Sequence, residues 1–177
     1  MRPANECLPG VSLVTLIRLT YFSRNLLDRF NAPMNERVAE IVAASMTNNR
    51  RLDITSALIY DNKWFAQSLE GHERAVSSTF ERILRDPRHA DVSLVAMGPI
   101  VERRLDGCPM VGIGQEPENA DLFRHYAESA RFDPRQMQTE RLADLIEALA
   151  SRFRREGGTW PSNNAAHEAL RLSADRP

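Results

Sequence analysis

Two apolar runs, DITSALIY over residues 53–60 and KWFAQSLEG over 63–71, are separated only by Asp61 and Asn62. Runs rich in β-branched and aromatic residues, joined through so short a polar link, leave room for a tight turn and little else, so they predict two adjacent antiparallel strands. The hairpin constrains what lies on either side of it. Before it, NERVAEIVAASMTNN puts Val38, Ile41, Val42, Ser45, Met46 and Asn49 on one side of a 3.6-residue period, which predicts a helix over about residues 34–48 with Asn49 where its last turn meets the sheet. After it, HERAVSSTFERILRD (72–86) repeats the spacing with Ala75, Val76, Thr79, Phe80, Ile83 and Leu84, and Pro87 closes that helix because proline cannot supply the next donor. SLVTLIRLTYFS (12–23) and ADVSLVAMG (90–98) read as flanking strands, and MVGIG (110–114) as a short fifth. Strand, helix, strand, strand, helix, strand is the order of an α+β, ferredoxin-like fold, an antiparallel sheet with two helices on one face.

Beyond residue 116 the pattern changes. ENADLFRHYAES and PRQMQTERLADLIEALASRFRRE read as C-terminal helices, the second with an apolar stripe of Met137, Leu142, Leu145, Ile146, Leu149 and Phe153. Such a stripe needs a cover: either the sheet face that the first two helices leave bare, or another subunit. The expected organisation is a domain over 11–114, a helical extension over 115–156 and a flexible tail over 157–177.

Charge narrows the choice of partner. Lys and Arg number 23 against 24 Asp and Glu, a net charge of -1, which gives no reason to expect nucleic acid or an anionic membrane. No stretch approaches the roughly 20 apolar residues of a membrane span, and MRPANECLPG lacks the apolar core of a secretory signal, so the chain is expected to be soluble and cytoplasmic. Cys7 and Cys108 are the whole cysteine complement and form no disulfide scaffold; the histidines, His72, His89, His125 and His167, have no zinc-ligand spacing.

The informative polar residues are those placed to face inward. With a period of two, Gln67 points the same way as Phe65 and Leu69, and an inward amide has to be hydrogen-bonded. Tyr21 near the end of the first strand and Asn49 at the end of the first helix belong with it, as do Arg82 and Asp86 at the end of the second helix. Together they surround the gap between the helices, a slot walled by Ile41 and Val42 on one side and Phe80 or Ile83 on the other. Such a slot suits a flat heteroaromatic ligand with donors and acceptors along one edge. Each residue also has a plainer reading: Tyr21 as a core tyrosine, Asn49 as a helix cap, Gln67 bonded to a loop carbonyl, Arg82 and Asp86 as a helical ion pair.

Taken together, Tyr21-Phe22-Ser23, Asn48-Asn49, Ile54-Thr55, the Phe65-x-Gln67-x-Leu69-Glu70-Gly71 run and Asp86-x-Arg88-His89 resemble the BLUF family, blue-light sensors that use flavin adenine dinucleotide, FAD. The resemblance runs from about residue 11 to 114. It implies a non-covalently held FAD, with FMN or riboflavin as alternatives, whose ring lies between the two helices. It implies Tyr21 as electron and proton donor, Gln67 as the switch between that tyrosine and the flavin, and Met110 as the methionine beside the glutamine. Asn49 is implied at the pyrimidine edge, Asn48 near the dimethylbenzene-ribityl side or the same edge, Ile41 on the wall, and Arg82, Asp86, Arg88 and His89 near the ribityl and phosphate parts.

Four departures from the family pattern stand out: Ser56 where glycine is frequent, Cys108 in place of the usual tryptophan, Leu105 in place of a phenylalanine, and a longer link before Asn49, expected as an extended loop at NLLDRFNA. A serine at position 56 is expected to be accommodated by facing away from the ring. The implied function is a short photoreceptor, not an enzyme, that signals to an unknown effector protein and self-associates. Two other readings compete: a flavin-free interaction module on the same fold, and a small hydrolase of acylphosphatase type, for which no phosphate-cradling glycine loop is visible.

Overall fold

A computed structural model describes residues 15–29, 33–105, 107–127 and 131–157. Its elements are β1 (Leu16–Asn25), α1 (Met34–Arg51), β2 (Thr55–Tyr60), β3 (Trp64–His72), α2 (Glu73–Leu84), β4 (His89–Pro99), β5 (Val111–Gly114), α3 (Ala120–Ala127) and α4 (Thr139–Arg155). Cys7, the start of the expected first strand, part of the loop before α1 and nearly all of the C-terminal tail fall outside the described residues.

The hairpin forms where the sequence places it. The Asp61 carboxylate accepts the backbone N–H of Lys63 at 2.8 Å and of Trp64 at 2.6 Å, which closes the turn with a side chain. Helix α1 starts after Pro33, whose fixed φ suits a helix entry, and runs to Arg51, so Asn49 lies inside its last turn. Helix α2 stops at Leu84, two residues short of Asp86. The sheet order is β4-β1-β3-β2-β5. The first four strands pair antiparallel, as a ferredoxin-like fold requires, whereas β5 runs parallel to β2, so the whole sheet is mixed. The chain leaves β4 at one edge and returns to the opposite edge, where Ser56 N donates to the Cys108 carbonyl at 2.9 Å and β5 then pairs along β2. Gly112 on β5 is a close approach: a Cβ there would lie 2.8 Å from Val42 Cγ2, so only glycine lets α1 pack this tightly over the strand.

The two faces of the sheet have different covers. Phe65 and Leu69 of β3 and Leu58 of β2 belong with Val38, Ile41 and Met46 of α1 and Val76 of α2. Trp64 and Ala66, on the other face of β3, join Ala57, Ile59 and the stripe of α4, in which Leu142, Leu145, Ile146 and Leu149 are essentially buried. The stripe is therefore covered by the chain's own sheet. Burying four such side chains contributes roughly 1.5–3 kcal/mol each. Polar bonds hold α4 at its middle and near its C-terminal end: Arg104 reaches Asp144 at 3.3 Å and Glu147 at 2.9 Å, and Arg152 bonds both carboxylate oxygens of Asp121 on α3.

Candidate functional site

Tyr21, Asn49 and Gln67 come from three different elements, and packing brings them to one place. Tyr21 sits beside a register shift between β1 and β4, directly opposite Gln67 on β3. Its ring is buried against Phe80, with centroids 5.4 Å apart, and its hydroxyl donates to Gln67 Oε1 at 2.7 Å. The inward amide is satisfied at its other end too: Gln67 Nε2 points at Met110 Sδ, 3.4 Å away. Burial, and then the charge of Asp86, push the Tyr21 phenol well above its ordinary value, so it keeps its proton throughout the physiological range.

Asn49 is buried, and its amide hydrogens are committed to Ser56 Oγ at 3.0 Å and the Pro109 carbonyl at 2.7 Å. Its side-chain oxygen is then the group suited to accept a hydrogen bond from a ligand. Asn48, one residue earlier and half-buried, donates to the Ala44 carbonyl in its own helix. At the far end, the Arg88 guanidinium makes three bonds to the two carboxylate oxygens of Asp86, and the Arg88 backbone N–H adds a fourth at 3.0 Å. Burial alone would raise the Asp86 carboxyl, but the Arg88 bonds outweigh it and hold it below the usual carboxylate range. His89 shares a hydrogen bond with Ser23 Oγ at 2.7 Å and lies 4.9 Å from the Phe65 ring. Burial lowers the His89 imidazole to about 4, so it is neutral near pH 7.

These groups line one cleft between α1 and α2. Tyr21, Ile41, Asn48, Asn49, Gln67, Arg82, Asp86, Arg88 and His89 all border it. Met110 does not, but it supports Gln67 from behind. The sequence reading missed Ser45, Phe65 and Thr79 as wall residues, although Ser45 lies one helical turn before Asn49 and Thr79 one turn before Arg82. The walled space is about 170 Å³ and opens outward. This is below the roughly 300 Å³ at which ligand pockets usually begin.

Several expectations need correction. Val42 faces Gly112 of β5 and Phe80 packs on Tyr21, so neither borders the cleft; Ile83 does. Arg82 and Asp86 form no ion pair, because the helix has ended before Asp86; Arg82 donates to Thr79 Oγ1 at 3.1 Å. Ser56 does not turn away from the helix layer. Its register opposite Leu69 puts it on the face of Gln67, where it bonds Asn49 and Met110. Cys108, by contrast, joins the core on the α4 side, and its thiol, pushed up to about 12 mainly by burial, donates to the Ser56 carbonyl at 3.2 Å.

On the opposite face of β3, three residues from Gln67, Glu70 is fully buried. It accepts from Arg18 Nε at 2.7 Å, from Leu105 N at 2.9 Å and from Arg104 N at 3.3 Å. It thus pins the segment that leads to Cys108 and Met110.

The cleft therefore has aliphatic walls, acceptors and donors at its base, and arginines at its mouth. Comparison with known proteins agrees with that chemistry. A photoactivated adenylate cyclase subunit beta from Euglena longa is 39% identical over 90 residues, 50% of this chain and 10% of that protein. The chain thus spans only about a tenth of the length of the curated relatives it matches. The dark-state structure of BlrB, a BLUF protein, superposes with a TM-score of 0.64 at 30% identity and covers 78% of this chain and 97% of that one. The photo-activated state of BlsA, at 23% identity and a TM-score of 0.67, covers 76% and 94% and shares the fold. Residues 16–111 match the family described as BLUF, sensors of blue-light using FAD, and the chain belongs to that family.

Proposed function

We propose that this chain is a blue-light photoreceptor that holds FAD non-covalently between α1 and α2 and signals through a hydrogen-bond switch made by Tyr21 and Gln67. The observation that carries this reading is the 2.7 Å bond from the Tyr21 hydroxyl to Gln67 Oε1 at the base of the cleft. The donor set fits a flavin: Ile41, Leu58 and Ile83 suit the flat ring, the Asn49 oxygen suits an imide N–H, and Arg82 and Arg88 suit phosphates. FMN or riboflavin would meet the same walls. Bound flavin supplies absorption of blue light and, once excited, an electron acceptor.

The residues do the rest. Tyr21, kept protonated by burial, holds an oxidisable phenol whose proton already lies along the bond to Gln67. Gln67 carries a donor and an acceptor on one end, so turning that amide exchanges the groups it presents to Tyr21 and Met110 and changes what it offers the flavin. Asn49 orients the ring through its carbonyl, and the apolar wall excludes water from the Tyr21–Gln67 pair. The chain itself turns over no substrate; its output passes to an effector protein, with self-association of such domains as part of that route.

An absorption spectrum of the protein purified with FAD, taken before and after a blue pulse, tests this. A yellow protein with a small, reversible red shift is expected; a yellow protein that does not respond to light refutes it. The modest cleft volume favours one second reading, a flavin-free interaction module, and a colourless protein after purification with FAD would establish that instead.

A further inference from the structure

We infer that Ser56 is a positioning residue for the switch, one that holds the Met110 thioether under Gln67 and so sets how fast the light-induced state returns to rest. The inference rests on the photoreceptor reading above. The Ser56 side chain is completely buried, on the same sheet face as Gln67 and on the neighbouring strand. Its hydroxyl oxygen accepts from Asn49 Nδ2 at 3.0 Å, leaving one proton to place. Two acceptors are in reach: the Pro109 carbonyl at 3.1 Å and Met110 Sδ at 2.9 Å. The Pro109 carbonyl, with two lone pairs, also takes Asn49 Nδ2 at 2.7 Å, and the sulfur is the nearer of the two acceptors of the Ser56 hydroxyl. Met110 Sδ then sits between two donors, the Ser56 hydroxyl and Gln67 Nε2 at 3.4 Å.

This arrangement distinguishes the two orientations of the Gln67 amide. At rest, Nε2 faces the sulfur and Oε1 accepts from Tyr21, so both ends are matched. With the amide turned, its oxygen faces a sulfur that Ser56 prevents from moving away, and two lone-pair-bearing atoms oppose each other. The thioether has three rotatable bonds and would retreat if it were free. Ser56 therefore penalises the turned amide and speeds its return. Asn49, bound to the same hydroxyl, ties this setting to the residue proposed to orient the ring.

The test uses the full chain purified with FAD as wild type, Ser56→Ala, Ser56→Gly and Ser56→Thr. Each protein is followed by absorption in the dark, after a blue pulse and through recovery, with thermal melting recorded in parallel. Loss of one such hydrogen bond predicts that Ser56→Ala and Ser56→Gly retain the red shift but recover roughly fivefold more slowly. Ser56→Thr, which keeps the hydroxyl, is expected to recover at the wild-type rate. The glycine variant covers the case in which alanine folds poorly, since family members often carry glycine there. Unchanged or faster recovery in Ser56→Ala or Ser56→Gly overturns the inference while the photoreceptor reading stands, and so does a Ser56→Thr protein that recovers as slowly as they do. A wild-type protein that binds FAD but does not respond to light overturns both.

Discussion

Replacing Tyr21 by phenylalanine removes one hydroxyl and leaves the ring that packs on Phe80 in place. What is lost is the bond to Gln67 Oε1, between a tyrosine with no exposed surface and a glutamine with 5%. An acceptor stranded in such a site costs about 1–3 kcal/mol. With a urea slope near 1–3 kcal/mol/M, as is usual for small proteins, the midpoint of unfolding of the flavin-free protein should fall by about 1 M at unchanged slope. Gln67→Leu removes the acceptor as well, so the double variant Tyr21→Phe/Gln67→Leu should lose less than the two singles added together, with a coupling of about 1 kcal/mol. With FAD bound, Tyr21→Phe should stay yellow and lose the reversible red shift. Gln67→Leu should do the same, with a small blue shift at rest. A Tyr21→Phe protein that reaches the same light-induced state with normal yield would refute the role given to this phenol, and strict additivity in the cycle would refute the bond itself.

Glu70→Ala should cost about 3 kcal/mol in urea unfolding, because it strands Arg18 and the Leu105 N–H behind the sheet; a loss below roughly 1 kcal/mol would contradict the network described. His89 has its folded pKa lowered to about 4 from 6.5, so the unfolded chain binds more protons between those values. Stability should therefore fall with acid across pH 6.5 to 4 by up to about 3 kcal/mol and level off below. His89→Gln should flatten that slope, and an equal slope in both proteins would count against a buried neutral imidazole. Leu145→Ala, under the sheet on α4, should destabilise by about 2–5 kcal/mol, measurable by calorimetry as a lower Tm. An unchanged Tm would mean that α4 does not cover the sheet.

The hairpin and the two helices over it were legible because their signals are local: period two in β2 and β3, period 3.6 in α1 and α2, and a two-residue link between the strands. Ser56 shows a limit of reasoning from one residue at a time. Once Gln67 and Leu69 face inward, the pairing of Ser56 with Leu69 puts the serine on the same face, whatever a ligand would prefer. The Arg82–Asp86 spacing suggested a helical pair, and only the helix end at Leu84 removes it. The direction of β5 depends on a return across the sheet that four residues do not encode. The stripe of α4 reads the same whether its own sheet or another subunit covers it. Tyr21, Asn49 and Gln67 were recognisable as a set through the spacing of the family motif; composition alone offered each a plainer role.

The fastening of α4 limits what the back of the sheet can report. Peeling the helix off would expose four side chains worth roughly 6–12 kcal/mol together, whereas one rearranged amide commands about 1–3 kcal/mol. A switch of that strength cannot unlatch the helix. The segment pinned by Glu70, three residues along β3 from Gln67, is held instead by hydrogen bonds of comparable strength. Under the switch proposed above, a downstream protein would meet shifted polar groups of that segment, with the apolar surface under α4 still covered.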